Sequence, residues 1–576
     1  MEELLRLMEE GNWEEALHVV LGMMKEKEDY SSELMIIAAT ILEHFGDEKG
    51  ARKYIEQGLR IDPKNYELYF MLGNQLMNSN PNQAFLSYEN ALFYCTQPED
   101  KVVIQEAMDA LEKEQIISVA PASIVILSYN QRELTQKCLE SIRATCPKSA
   151  YEIVVVDNAS EDDSVEYLRQ QSDIILIENK ENEGFPRGCN IGARKSAKDN
   201  DIFLLNNDTE LFDNSLFMLR MGLYESPENG AAGACSNYVS NLQQIVKPFD
   251  SIEQWKEFAR TLQIPAQNTL EDKPYLVGFA LLIRRSIWDK VGELDERFSP
   301  GNFEDNDYGF RVMESGYHNV LCHNCFIYHK GSSAFGKRKD FGSLLQNNQQ
   351  KMNAKWGFDV GYSLYPREEV LDMIQDDKEA EIHVLDVGCA LGATIRRLKY
   401  RWPNAEVHGI EIRDDVASLG GSNFPIIAGD ASTMELPWPT EYFDYIILAD
   451  VVEHIAYPEP MLERLRGYLK EGGQLLVSLP NVMHYSVLQR YLLGHWTYED
   501  AGILDRTHMR FYTAESAKRL FTSLRYEVKQ ILPVTMNGEE VLPFVKELIE
   551  REETCEDIQF YAYQYLLRCV KNEANS

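Results

Sequence analysis

Positive charge is what this 576-residue chain has least of, with 57 lysines and arginines against 92 aspartates and glutamates and a formal net charge of −35. A surface of that sign repels phosphate backbones, so nucleic acid is not the expected partner. Long apolar runs are missing as well. No segment reaches the ~18 consecutive apolar residues that a membrane span requires. The start, Met1 to Glu10, is acidic and amphipathic, unlike the basic and then apolar start of a secretory signal. A cytoplasmic chain without a membrane span is therefore expected. The ten cysteines are scattered, and only Cys322 and Cys325 form a Cys-x-x-Cys pair. With no second pair to complete a tetrahedral zinc site, buried reduced thiols are the expectation.

What is present is a globular composition, 44% hydrophobic and 26% charged, in a chain too long for one hydrophobic core. The stretch Asp201-Ile-Phe-Leu-Leu-Asn-Asn-Asp-Thr-Glu210 shows how the middle is built. A short apolar run ending in amides and a carboxylate is a buried strand that delivers polar groups to its carboxyl end, where ligands sit in an open parallel sheet. Asp208 is thereby offered to a metal and an anionic ligand. By itself the same stretch also suits a strand followed by an Asn-Asp turn.

Residues 1 to about 115 carry apolar positions at helical spacing, punctuated at Gly46-Asp47, Asp62-Pro63 and Asn80-Pro81. Ala16, Ala51 and Ala84 recur about 34 residues apart. With Tyr54, Ile61-Asp-Pro-Lys-Asn65 and Tyr88-Glu-Asn-Ala-Leu92, this pattern resembles a tetratricopeptide array. The resemblance implies a concave face that binds a protein or peptide; a plain helical cap on the enzyme behind it is the other reading.

The strand Ser123 to Asn130, a helix from Glu133 to Arg143, the strand Tyr151 to Ser160 with Asp157 and Asn158 at its end, and the glycine-bearing loop Asn182 to Gly192 precede the Asp208 strand. Ser128-Tyr-Asn130, Asp157-Asn-Ala-Ser160, Asn182-Glu-Gly184 with Asn190-Ile-Gly192, and Asn206-Asn-Asp-Thr209 together resemble glycosyltransferase family 2. The resemblance implies a GT-A fold over 119–365 and a nucleotide-sugar donor. Ser128, Asn130, Asp157, Arg187 and Asn207 become its contacts, with Asp157 at the base, and Asp208 and His329 hold a divalent cation. Asn206 stands where the first aspartate of the metal motif is usual, which leaves Mn²⁺, Mg²⁺ and metal dependence itself open. The acidic cluster Glu304-Asp-Asn-Asp307 opens a helix, where carboxylates also serve as caps. Glycosyl transfer needs a base beside the acceptor hydroxyl; the resemblance makes Asp305 that base, with Glu304 second, and inversion is expected because a single displacement with one base needs no covalent sugar intermediate.

Past a charged linker near Tyr365 to Glu379, read as a helix, a new strand-and-turn unit begins at His383-Val-Leu-Asp-Val-Gly-Cys-Ala-Leu-Gly392. A second strand ends in Glu411 about 20 residues later, a spacing that suits a carboxylate on ribose hydroxyls. With Ile426 to Asp430, Phe443 to Asp450, Val451-Val-Glu-His-Ile455 and Gly472 to Pro480, the segment resembles class I S-adenosylmethionine-dependent methyltransferases, here 366–576. That implies cofactor contacts at Asp386, Gly388, Gly392, Glu411 and Asp430, and makes His454 and His508 candidate bases. Ala390 replaces the usual middle glycine.

The expected architecture is multidomain, α and α/β: helical repeats over 1–118, the GT-A domain, then the methyltransferase sandwich. The expected function is bifunctional. A sugar passes from a nucleotide donor to a glycan or protein acceptor, such as flagellin or another surface protein, and a sugar or glycan hydroxyl is methylated. Two rivals stay open, a methyltransferase whose sugar-transfer half is inactive and a non-enzymatic scaffold.

Overall fold

The computed structural model describes residues 2–26, 31–114, 117–331, 341–535 and 558–572, and positions 543 and 547. Helices lead, as the periodicity dictates: α1 (Glu2–Glu9), α2 (Trp13–Glu26), α3 (Ser32–His44), α4 (Glu48–Ile61), α5 (Tyr66–Leu76), α6 (Pro81–Tyr94) and α7 (Pro98–Lys113). Side-chain oxygens of Ser31, Asp47, Asn65 and Asn80 accept amide hydrogens in the first turns of α3, α4, α5 and α6, so each start is fixed locally. Ala16, Ala51 and Ala84 are fully buried, where only a small side chain lets neighbouring helices approach.

The helix α6 is buried without a break from Ala84 to Ala91. Its neighbours α5 and α7 flank it, and the helix Ser215–Leu223 of the following sheet domain covers it. Gln83 Nε2 donates to the Met221 carbonyl (2.9 Å), and Tyr94 Oη donates to Asn214 Oδ1 (2.9 Å). Glu89 and Arg220 form an ion pair with both side chains under a tenth exposed. Helices and sheet share one hydrophobic core. The chain accordingly divides into two units, Met1–Trp356 and Gly357–Ser576.

The sheet of the first unit comprises β1 (Ala122–Ser128), β2 (Tyr151–Asp157), β3 (Ile174–Glu178), β4 (Asp201–Asn206), β5 (Thr209–Leu211), β6 (Asn229–Cys235), β7 (Leu270–Lys273), β8 (Ala280–Ile283) and β9 (His318–His329). Their order is β3-β2-β1-β4-β8-β6-β9-β5, with β7 on β9. The first four strands of that order are parallel. Of these, β1, β2 and β4 carry apolar runs buried on both faces. In the second unit β10 (His383–Val387), β11 (Glu406–Glu411), β12 (Ile426–Ala428), β13 (Phe443–Ala449), β14 (Leu469–Pro480), β15 (Tyr526–Thr535) and β16 (Ala562–Lys571) run in the order β12-β11-β10-β13-β14-β16-β15. The first five of that order are parallel and β16 is antiparallel to both its neighbours. The linker helix is only Glu368–Leu371; beyond it the Gln375 amide donates to the Tyr445 hydroxyl (3.4 Å), which donates to the Asp376 carboxylate (2.5 Å). No helix among the described residues is long and apolar enough to cross a membrane.

A cavity of about 300 Å³ at the seam of helices and sheet is lined by Asp62, Lys64, Asp213 and Arg260 among others. No residue expected at the sites lines it. The seam is held by the Glu89–Arg220 pair, and removing one partner strands a buried charge. Arg220→Ala is expected to cost about 3–5 kcal/mol. Urea denaturation checks this, with the Glu89→Leu, Arg220→Met double variant expected to recover most of the loss.

Candidate active sites

In the first unit, pairing of Ser128 with Asp157 and of Leu127 with Asn206 brings the ends of β2, β1 and β4 level. Beyond β1 the backbone turns left-handed at Asn130 (φ 56°), which frees its amide to donate to Ser160 Oγ (2.7 Å) and its Oδ1 to accept from the Glu161 amide (2.8 Å). Asp157 is 1% exposed, and its carboxylate accepts the Ser160 amide (2.9 Å) and hydroxyl (2.6 Å). Asn158 Nδ2 donates to Asn182 Oδ1 (2.8 Å), which ties the loop before the helix Phe185–Lys195 to the end of β2. In that loop Gly184 has φ 79°, and a Cβ there would lie 2.9 Å from Pro300 Cα. Arg187 is half-exposed and paired with Glu183 (2.8 Å).

Thr135, in the first turn of the helix Arg132–Thr145, joins two strand ends: its hydroxyl lies 3.2 Å from Ser128 Oγ and accepts from Asn207 Nδ2 (3.0 Å). From there the chain of contacts continues. His329 Nδ1 faces the Tyr238 carbonyl (2.8 Å), which can only accept, so Nδ1 carries the proton. Nε2 then points to Asp208 Oδ1 (3.1 Å), with Asn206 Nδ2 at 3.5 Å. Phe279 stacks on the His329 ring (centroids 5.2 Å apart) and its carbonyl accepts the Asn206 amide (2.9 Å). Next to it, the Gly278 amide donates to Asp305 Oδ2 (3.0 Å).

Asp305 is partly exposed, and burial raises its pKa. Glu304 is 5% exposed with Oε2 unpartnered; burial, then the Asp305 charge, hold its carboxyl well above the usual range. Asp307 points the other way. It is fully buried and holds Arg311 (2.9 Å), Trp356 Nε1 (3.0 Å) and Lys355, which makes it a packing anchor. The expected residues Ser128, Asn130, Asp157, Asn207, Asp208, Asp305 and His329 thus lie along one continuous edge, while Arg187 is engaged with glutamates beside it.

In the second unit the turn after β10 has three left-handed residues, Gly388 (φ 75°), Ala390 (φ 49°) and Gly392 (φ 76°). A Cβ would lie 2.8 Å from Val451 at Gly388 and 2.7 Å from Ile426 at Gly392. Ala390 holds its conformation because its amide donates to Glu411 Oε2 (2.9 Å), while Oε1 takes the Arg413 amide (3.0 Å). Asp386 is 4% exposed, and burial pushes its carboxyl up to about 8 despite the Arg367 guanidinium nearby. Asp430 is held below the usual range by the Ser432 hydroxyl and amide. On the other side of Arg367, which pairs with Asp450 at the end of β13, lie Glu453 and His454 and, across from them, His508. Burial raises Glu453 to about 8, and lowers His454 with help from His508. The Tyr362 hydroxyl is raised by burial and feels Arg367, Glu453, Asp386 and Glu411 together, so these groups converge.

Residues 123–292 match the family model of glycosyl transferase family 2, and residues 362–531 that of a methyltransferase domain. The chain carries one domain of each kind.

Similar proteins cover short stretches. A poly(ribitol-phosphate) beta-glucosyltransferase of Bacillus spizizenii is 37% identical over 91 residues, 15% of this chain and 14% of that protein. Glycosyltransferase AglE of Haloferax volcanii is 42% identical over 81 residues, 13% and 26% of the two chains. Trans-aconitate 2-methyltransferase of Pseudomonas paraeruginosa is 30% identical over 117 residues, 20% and 42% of the two. The chain spans less than half the length of each.

Sequence reasoning missed Thr135 and Gly278 in the glycosyltransferase domain and Arg367 in the methyltransferase domain, and it quoted Ser160 and Glu453 only as neighbours of other candidates. Ser160 had a signal, since a serine three residues after a strand-end aspartate caps it. Arg367 had none, lying in a linker. The Asp386 carboxyl also sets a pH dependence. Its folded pKa near 8 exceeds the unfolded value, so the unfolded chain binds fewer protons between about pH 4 and 8 and stability falls as pH rises through that window. Denaturation at pH 5 and pH 8 is expected to show a smaller loss in Asp386→Asn than in the unaltered chain.

Proposed function

We propose that the two domains act in sequence on one class of product: the glycosyltransferase domain moves a sugar from a nucleotide-sugar donor to a glycan or protein acceptor, and the methyltransferase domain methylates a sugar or glycan hydroxyl. The observation that carries the sugar-transfer half is the run of links from Asp157, paired with Ser128 across the sheet, through Thr135 to Asn207, on from its chain neighbour Asp208 to His329, and by way of Phe279 and Gly278 to Asp305. Asp157 and the Ser128–Asn130 turn would hold the nucleoside, Asn207 the sugar-diphosphate side, and Arg187 the edge of that pocket. Asp305 takes the proton of the acceptor hydroxyl as its oxygen bonds the anomeric carbon and the bond to the diphosphate breaks. Burial raises its pKa, the direction that makes a carboxylate a better proton acceptor. One displacement inverts the anomeric centre. Burial and the neighbouring Asp305 charge both favour the protonated form of Glu304.

The donor set beside it fits a divalent cation. His329 is turned by the Tyr238 carbonyl so that its Nε2 lone pair lies against a carboxylate, as metal-ligating histidines are. Asp208 and His329 would hold Mn²⁺ or Mg²⁺, which offsets the charge of a departing diphosphate.

In the methyltransferase domain, the glycine turn and the acids Asp386, Glu411 and Asp430 fit S-adenosylmethionine, whose sulfonium supplies an activated methyl group. Gly388 and Gly392 hold the left-handed turn close against Val451 and Ile426, Glu411 fixes that turn, and the buried acids Asp386 and Glu411 suit a cationic ligand. His454 and His508 are the candidates for handling the acceptor hydroxyl's proton.

The helical array supports a macromolecular acceptor, which a tetratricopeptide-like face would present; flagellin or another surface protein fits that reading. The likeness to a poly(ribitol-phosphate) glucosyltransferase keeps a polysaccharide beside it. Mass spectrometry of products from a panel of sugar donors and S-adenosylmethionine tests both halves. Asp305→Asn is expected to lower sugar transfer by about 10²–10⁴-fold while donor binding persists. Unchanged transfer would leave the sugar-transfer half without its base.

A further inference from the structure

Three ligand-bearing side chains outside the cofactor turn, Glu453, His454 and His508, each bring one donor atom to within 4.8 Å of the others. They come from two segments held together by their backbones. The turn Val452–His454 follows β13, and the Glu453 carbonyl accepts the amides of Met509 (2.8 Å) and Arg510 (3.1 Å). That pair of bonds fixes His508 against Glu453.

What these groups offer is settled by their other partners. The Thr507 hydroxyl donates its one hydrogen to Asp505 Oδ1 (2.6 Å), so toward His454 Nδ1 (3.1 Å) it accepts, and Nδ1 carries the proton. His508 Nδ1 faces the Ile503 carbonyl (2.9 Å), which also only accepts. Both Nδ1 atoms are thereby used as donors, and Nε2 is the lone-pair nitrogen each ring has left. Glu453 is 1% exposed, and neither of its carboxylate oxygens has a hydrogen-bond partner. Two buried acceptor oxygens without a hydrogen-bond donor are costly unless something positive meets them, and Arg367, whose charge reaches Glu453, is itself paired with Asp450. Asp450 is committed elsewhere, to the Ser478 hydroxyl (2.6 Å) and Arg367.

We infer that Glu453, His454 and His508 form a binding site for a divalent transition-metal cation of the zinc class. Two imidazoles and one carboxylate are the donor set of open zinc sites, which keep a further position for water or substrate. Exposure of His454 leaves that position reachable. Orientation of each ring by a donor bond from Nδ1 is what such ligands require. The role of the ion rests on the methyltransferase reading above. There the two histidines act through the cation rather than as free bases. The acceptor hydroxyl bound at the open position gives up its proton to solvent more readily, its oxygen lone pair bonds the methyl carbon, and the carbon–sulfur bond breaks with its electrons left on sulfur as a thioether.

Metal content separates this site from the one proposed at Asp208. After dialysis against Zn²⁺ or Co²⁺, the full chain carrying Asp208→Ala is expected to retain one equivalent, and to lose it on adding Glu453→Gln with His508→Ala. His454→Ala, a change at an exposed residue, is the second variant and is expected to lose the ion while the thermal unfolding transition stays in place. No bound ion in the Asp208→Ala chain, or an equivalent that survives all three changes, would overturn the site. Calorimetry with S-adenosylmethionine reports on the methyltransferase reading independently.

Discussion

Parallel pairing that ends level is the constraint on which both sites depend. Buried parallel strands have no freedom to slip, because each side chain is committed to one covered face. The register that sets Ser128 opposite Asp157 and Leu127 opposite Asn206 therefore fixes three polar strand ends beside one another. The second unit repeats the device with Asp386 on β10, Glu411 at the end of β11 and the Asp450 turn after β13, the three neighbours in its sheet. In each case the apolar run supplies the rigidity and the residues after it supply the chemistry.

The acids so placed fall into two kinds. Asp430 is stabilised as a carboxylate by a serine hydroxyl and amide, and Asp157 meets Ser160 in the same way. These are fixed acceptors, suited to holding sugar or ribose hydroxyls. Glu304, Asp305, Asp386 and Glu453 are raised by burial, and such groups gain most from a proton or a cation. On the proposed function the first kind serves recognition and the second charge-handling.

Much of this was legible in the sequence, because the apolar run followed by amides and acids is a local pattern. The strands ending at Ser128, Asp157, Asn206, Val387 and Glu411 form where that pattern places them. What the sequence could not carry was direction. Asp305 and Asp307 share a helical turn, yet one meets the Gly278 amide and the other is sunk among Lys355, Trp356 and Arg311; two residues' separation turns a side chain to the opposite face. Nor could it show that α6 is covered by the sheet domain, since the Glu89–Arg220 pair joins residues 131 positions apart. Arg367 lay in a segment read as a charged helix and instead reaches the Asp450 carboxylate.

On the proposed function the strand-end edge of the first unit receives a nucleoside diphosphate, and binding of that fragment is the most direct measurement of it. Calorimetric titration of the full chain with uridine and guanosine diphosphates is expected to give saturable binding by at least one, lost in Asp157→Ala, with the folded state intact by circular dichroism. Equal binding by Asp157→Ala, or no binding of either diphosphate by the unaltered chain in the presence of Mn²⁺ or Mg²⁺, would contradict a donor site at these strand ends.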